Sequence, residues 1–528
     1  MTESRARYDP KTGEINSVLP MPMIGTANPD AVQEATVPSV TVARYSSVWT
    51  FLAAALLAAF YFATSIYISS HRLLWFDEVV TVNIAQLPGW ATIIAALSHG
   101  ADSLPPPYYF VVRAFGNLFG HGEVAARLPS TLAMVATLLI TFDCARRLTD
   151  GLHGLIALAI AAGPLAGEGF EARSYAIYVM FAALSLLVWT YTGIGRKLSA
   201  ILFGAVLFLG ICFHYYSALL LAPYVLWELS RWKPWQPPSP KIVAGIIGVV
   251  VPAAFLSHFI LSFSSKFSTG FWSRPSFSEL VEVYSHIFVG GLFIVALSTV
   301  WIVLADRKQQ AIVLEPMSSG EAIGWLFLCI PLAGFAVAEW KTNAFAVRYF
   351  LGIVPGVAVA VACYLWRHFH NLPRISLGLF LLLAAWGMGK QWQLVHHWES
   401  LETPGTRAYL NVENSLRADG KQFLVFADPF LFLEAQHYSK YPDDCILLLP
   451  SDFDSKAAAG PDPYMHQRVE VILSHYSPLQ IWRPDQLREH ARAAALIKPT
   501  PDALGTVKQA GVESEVRFAE PLKIVYLR

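Results

Sequence analysis

Charge is what this sequence has least of. Only 14% of its 528 residues are charged, where soluble domains run nearer a quarter. Hydrophobic residues make up 55% and the mean hydropathy is +0.45. A chain this long with so few charges cannot hide its apolar surface by folding alone, so the bilayer is its natural solvent. Lys+Arg and Asp+Glu balance at 38 each, which leaves no basic excess for a nucleic acid. The five cysteines (Cys144, Cys212, Cys329, Cys363 and Cys445) form no CxxC or Cys/His spacing, so neither a disulfide framework nor a zinc site is expected. No P-loop, GxGxxG, HExxH or GxSxG pattern appears, which argues against a nucleotide as direct donor. Residues 1–47 lack an early apolar run and read as a disordered cytoplasmic tail, not a signal peptide.

What is present is a succession of apolar runs. Roughly 20 residues span a hydrocarbon core, and the candidate spans are 48–69, 127–147, 152–167, 174–192, 198–214, 216–230, 241–262, 286–305, 321–338, 346–366 and 374–393. Basic residues test this alternation, because they gather on the cytoplasmic side. With Arg5, Arg7 and Lys11 inside, the inside loops carry Arg146-Arg147, Arg196-Lys197, Arg231 with Lys233, Arg307-Lys308, and Arg367 with Arg374. This pattern predicts a transmembrane domain over 48–393, a cytoplasmic N-terminus and an extracytoplasmic segment 394–528. The expected fold class is an all-α polytopic membrane protein of about eleven transmembrane helices with interfacial helices, plus a small soluble α/β C-terminal domain. Phe423–Phe426, Ile446–Leu449, Val516–Phe518 and Ile524–Tyr526 are its strand-like runs, and Asp485 to Ala495 reads as a helix.

The long outer loops hold the candidate chemistry. The first, 70–126, opens with Asp77-Glu78, and a partly desolvated carboxylate there can act as a general base. It continues through Pro105-Pro106-Pro107-Tyr108-Tyr109 into an amphipathic segment to 119, whose Tyr108, Tyr109, Phe115 and Phe119 suit the membrane interface. A second long outer segment, 262–285, is polar around Lys266 and is a candidate lid. Shorter outer turns carry Glu168, Glu171 and Arg173, then His214-Tyr215, then Arg348-Tyr349. A solvated loop acid, a hydrogen-bonded structural histidine and a snorkelling arginine would each explain one of these alone. Their convergence at one level of the membrane marks a functional site. A transporter or flippase would place polar groups and broken helices at the midplane, usually in inverted repeats, and neither is apparent. A non-catalytic lipid-binding scaffold is the other alternative; it would tolerate loss of Asp77.

Taken in order, these motifs resemble the GT-C superfamily of membrane glycosyltransferases, on the branch of the protein O-mannosyltransferases and the lipid A aminoarabinose transferase. The matching pieces are Phe76-Asp77-Glu78, Pro105 to Tyr109, Arg127-Leu128-Pro129-Ser130, Glu171 to Ala176, His214-Tyr215 and Arg348-Tyr349. The resemblance implies an inverting transfer of a sugar from a polyprenyl phosphate to an acceptor hydroxyl, outside a bacterial inner membrane. Asp77 would be the base, with Glu78 beside it. Glu171, Arg173, Tyr109, His214, Tyr215, Arg348 and Tyr349 would bind donor or acceptor, and Arg173 and Arg348 would meet the leaving phosphate. The acceptor, whether lipid, glycan or protein, stays open, and the tail is expected to help admit it or to hold a partner. No cofactor is firmly expected; a divalent metal would be compatible with an Asp-Glu pair without being required. The chain departs from many relatives at Leu104, where a Lys or His contacts the donor phosphate; His99, Arg113, Lys266 and Arg274 are the alternative cations.

Overall fold

The computed structural model describes residues 7–8, 15–16, 48–191, 193–233, 235–267, 273–305, 316–456, 464–519 and 522–528. The rest of the expected tail 1–47, the centre of the segment 262–285 and the Arg307-Lys308 loop lie outside the described residues. Within the first 44 residues, β1 (Arg7–Tyr8) pairs antiparallel with β2 (Ile15–Asn16). Everything from Tyr45 onward forms a second unit.

That unit begins with helices at every expected span. They are α1 (Val48–His71), then α2 (Phe76–Gln86), α3 (Gly89–Ser98) and α4 (Pro106–Phe119) in the first outer loop. There follow α5 (Glu123–Leu148), α6 (Gly151–Ala162), α7 (Tyr175–Thr190), α8 (Arg196–Phe213), α9 (Ala222–Ser230), α10 (Pro240–Phe267), α11 (Phe277–Ala305), α12 (Ser319–Leu326), α13 (Cys329–Val337), α14 (Ile353–Phe369) and α15 (Pro373–His396). Among the described residues five stretches are long and apolar enough to cross a membrane on those grounds alone: Val48–His71, Glu123–Leu148, Arg196–Phe213, Pro240–Ser264 and Ser319–Thr342. α6, α7 and α14 are shorter but apolar. α6 and α14 are almost wholly buried among their neighbours, whereas α1 and α10 keep large apolar side chains such as Leu56 and Phe255 exposed, as a lipid-facing helix should. The chain is a multi-pass membrane protein. Close helix contact rests on small residues: a Cβ on Gly248 would lie 2.2 Å from the Gly204 carbonyl oxygen, so α8 and α10 touch backbone to backbone.

One expectation about α4 fails. Tyr108 and Tyr109 are fully buried inside the protein rather than standing in an interfacial belt, and of the four aromatics only Phe119, next to the exposed Leu118 at the helix end, is strongly exposed. The segment is amphipathic, but its aromatic face packs toward the site.

The C-terminal part is an α/β layer. Its helices are α16 (Thr406–Ala418), α17 (Pro429–Tyr438), α18 (Phe453–Lys456), α19 (Met465–Ser474), α20 (Pro484–His490) and α21 (Pro501–Gln509). Its strands are β3 (Phe423–Phe426), β4 (Cys445–Leu448), β5 (Gln480–Trp482), β6 (Ala494–Ile497), β7 (Ser514–Ala519) and β8 (Leu522–Leu527), in the order β5-β4-β3-β6-β8-β7. β3, β4, β5 and β6 run parallel, and β7 and β8 add an antiparallel hairpin at one edge. The four sequence-read strands appear here. The helix read over 485–495 stops early, because Ala494–Ile497 is a strand buried on both faces at the sheet centre. Alanine-rich strands lack the β-branched signature, and burial between helix layers overrides propensity.

This layer is tied directly to the loop before α2. Leu73 N–H donates to Glu402 Oε1 at 2.9 Å, Leu74 N–H donates to the Tyr438 hydroxyl at 2.7 Å, and Arg407 donates to the His71 carbonyl at 3.1 Å.

Candidate active site

The turn that presents Asp77 is built around one buried arginine. Arg127, near the start of α5 and fully buried, donates from Nε to Glu78 Oε1 at 2.8 Å and from Nη2 to Oε2 at 2.6 Å. Its remaining donors reach the carbonyls of Ser69, Arg72 and Leu73. Glu78 in turn accepts from the backbone N–H of Ala172 at 2.6 Å and of Trp75 at 3.2 Å. Burial alone would raise the Glu78 carboxyl, but Arg127 and Arg72 overcome it and hold it below the usual range. Both oxygens are thus engaged and the side chain is wholly shielded, so Glu78 has no face left for a substrate. It locks together the end of α1, the first turn of α2, α5 and the 168–173 turn.

Asp77, one residue earlier, points the other way. It is about one-fifth exposed, and Arg348 Nη2 lies 3.4 Å from its Oδ2. The Arg348 guanidinium spans the faces of Trp75 at 5.6 Å and Tyr175 at 5.3 Å. Arg173, buried at the start of α7, makes an ion pair with Asp102 at 2.6 Å and donates to Thr81 Oγ1 and the Asp77 carbonyl at 3.1 and 3.3 Å. Burial opposes ionisation of Asp102, and Arg173 wins, keeping it a carboxylate. Asp102 and Arg72 are absent from the sequence reading. Arg72 sits 4.0 Å from Glu171 and 3.7 Å from Glu78, and its Nε and Nη1 are buried without a hydrogen-bond partner among the described residues. Burial and the adjacent Glu171 push Glu168 up to about 8, and burial likewise raises Glu171 against the pull of Arg72.

Beyond Tyr175 an aromatic cluster begins. The buried His214 ring lies 5.3 Å from Tyr175, 5.1 Å from Tyr178 and 6.0 Å from Tyr349, which stacks on Tyr216 at 4.9 Å. The rings of Tyr175, His214, Tyr216 and Tyr349 form one wall of a cavity of about 280 Å³ that also meets Ser103, Leu104, Tyr215, Ile260, Leu261 and Lys341. Its lining is mostly apolar, with Ser103 beside Asp102 at one point and the exposed Lys341 at another. Tyr109 is buried on α4 against Tyr108, and Tyr215 donates to the Leu256 carbonyl at 3.3 Å.

The structure therefore brings Asp77, Glu171, Arg173 and Arg348 around one turn and sets His214, Tyr215 and Tyr349 along the adjoining slot. Among the alternative cations, Arg113 is spent on the carbonyls of Ala85 and Leu87, and His99 is hydrogen-bonded to Tyr476. The side chain of Lys266 lies outside the described residues. Lys341 lines the slot that Leu104 also lines. No group of three or more His, Cys, Asp or Glu side chains that could hold a metal ion occurs among the described residues.

Comparison with known proteins agrees with this architecture. The sequence model of a family described as dolichyl-phosphate-mannose-protein mannosyltransferase matches residues 103–258. No curated protein matches the chain by sequence. Two crystal structures of ArnT from Cupriavidus metallidurans are similar in fold, each 13% identical and covering 90% of this chain and 97% of theirs. The structure bound to undecaprenyl phosphate gives a TM-score of 0.57 and the apo structure 0.55. The fold is that of ArnT.

Proposed function

We propose that this protein is an inverting glycosyltransferase that moves a sugar from a polyprenyl phosphate to an acceptor hydroxyl on the extracytoplasmic face of the membrane. The observation that carries the reading is Asp77, a carboxylate about one-fifth exposed and fixed against Arg348 beside an aromatic, apolar slot. The undecaprenyl phosphate bound by the similar ArnT structure supports the donor class.

In this reading Asp77 takes the proton of the acceptor hydroxyl as its oxygen attacks the anomeric carbon. The bond from that carbon to the phosphate oxygen breaks, the configuration inverts, and the polyprenyl phosphate leaves with the bonding pair. Charge grows on the phosphate, so fixed cations in a dry site lower the barrier. Arg348 and Lys341 are the residues that meet it, and the slot takes the adjoining prenyl chain. Arg173, neutralised by Asp102, holds the Asp77 turn and does not face the phosphate. Glu78 and Arg127 do the same from behind. Glu168 and Glu171, with Arg72, face the sugar hydroxyls.

The test uses purified protein in nanodiscs with radiolabelled polyprenyl-phosphate sugars and an envelope extract as acceptor, wild type against Asp77→Asn. Transfer that collapses in a folded Asp77→Asn supports class and base together. Transfer that survives moves the base to another carboxylate, and a wild type that consumes no donor sinks the reading. The proposed topology, N-terminus inside and residues 394–528 outside, is checked by reporter fusions at both ends; an N-terminal fusion active outside would overturn it.

A further inference from the structure

A second cavity, of about 450 Å³, lies in the C-terminal layer. It opens where the carboxyl ends of three parallel strands meet: Ala427 and Asp428 follow β3, Leu449 and Pro450 follow β4, and Thr500 and Asp502 follow β6. From β3 the chain runs outward to β4 and β5, then returns to place β6 on the other side of β3. This is the point at which open α/β sheets offer a crevice for ligands.

Three polar side chains in its lining are open to a ligand. The ring nitrogens of His466, the amide of Gln467 and the carboxylate of the exposed Asp502 make no hydrogen bond to any described residue. Phe430 and Tyr464 add ring faces, and Asp428 adds a carboxylate already engaged in capping α17. Rings set beside carboxylate, amide and imidazole suit a ligand with many hydroxyls and apolar C–H faces. The Asp502 carboxylate disfavours phosphates and acids, whereas Asp428 already pairs with Lys498 at 3.8 Å.

The cavity's wall reaches the Asp77 turn. His466 packs on Phe430 at 4.5 Å and on Phe76 at 5.2 Å, and Phe76 is the residue before Asp77. Phe76 also meets Phe430 at 4.7 Å. A glycan held by His466, Gln467 and Asp502 would therefore extend past Phe76 to bring a hydroxyl within hydrogen-bond reach of Asp77.

We infer that this crevice is the acceptor subsite and that it binds a neutral, hydroxyl-rich glycan. The inference rests on the transferase reading above and gives its acceptor a chemical class. Two measurements on the full protein in nanodiscs separate the two. Saturation-transfer NMR with a panel of neutral di- to tetrasaccharides reads binding without transfer. Binding to wild type that weakens at least tenfold in Gln467→Ala and Asp502→Ala, with unchanged melting temperatures, is expected. Absence of binding to wild type, unaltered binding in both variants, or displacement of the saccharide by serine-containing peptides overturns the inference. Transfer kinetics then read the acceptor and donor separately: the acceptor KM rises at least tenfold in both variants while the donor KM stays constant. Equal changes in both KM values would also overturn it. A wild type that binds saccharide but transfers nothing would leave the crevice standing and remove the transferase.

Discussion

Arg348 Nη2 stands 3.4 Å from Asp77 Oδ2, across 271 residues of sequence, and the same guanidinium lies over Trp75 and Tyr175. Stacking between two rings fixes the cation where a carboxylate on one side and a leaving phosphate on the other can both use it. Lysine, a point charge on a flexible stem, cannot stack in this way. Arg348→Ala is expected to lower the transfer rate by about 10²–10³-fold, the scale of losing one preorganised charge partner. Arg348→Lys should recover only part of it. Initial rates at saturating donor check this, and a Lys variant equal to wild type would refute the stacking argument.

Adjacent carboxylates should fail differently. Asp77→Asn removes a partly exposed acid whose partner is also partly exposed, so melting should shift little while transfer collapses. Glu78→Gln leaves Arg127 buried without its counter-ion, an error that costs on the order of 3–5 kcal/mol. Lower yield and a lower melting temperature are expected, with residual activity in whatever folds. Thermal unfolding and transfer measured on both variants separate the roles; equal melting temperatures would contradict them.

Asp102 offers a third contrast. Its ion pair with Arg173 holds the Asp77 turn through the Asp77 carbonyl and Thr81. Asp102→Asn should weaken the pair and reduce kcat, with the donor KM nearly constant, because Arg173 is then free to compete for Asp77. Steady-state kinetics check this, and a rise in donor KM alone would show instead that Arg173 touches the phosphate.

These residues also show what sequence alone conveys. Asp77, Arg173, His214 and Arg348 were visible because each sits in a short motif at the mouth of an apolar run, and run boundaries are the clearest signal a membrane sequence carries. Asp102 was not, because a lone acid before a proline-rich helix looks like any solvated loop residue, and its partner lies 71 positions away. Sequence places Glu78 beside Asp77 in the site, since adjacency hides that successive residues on a helix face different directions. The helices were legible because lipid demands long apolar runs; the brief strand β5 and the alanine-rich β6 were not, because their identity depends on the sheet around them.

The C-terminal layer carries its own pH signature. Glu434 on α17 is almost completely buried, accepts hydrogen bonds from the hydroxyls of Thr403 and Thr406, and is pushed up to about 7 by that burial. The folded layer therefore holds a proton that the unfolded chain releases near 4.5. A raised acid contributes its full stability below the unfolded value and loses it as pH climbs to the folded one. Stability should fall between about pH 4.5 and 7 and level off above, by a total of about 3 kcal/mol. Glu434→Gln keeps the neutral form's shape and should remove this slope. Melting temperatures of the full protein from pH 5 to 8, wild type against variant, decide it: parallel curves would show that another group governs the transition. The same layer anchors the α1–α2 loop through Glu402, Arg407 and Tyr438, so loss of its packing above neutral pH should lower transfer before it unfolds the helices.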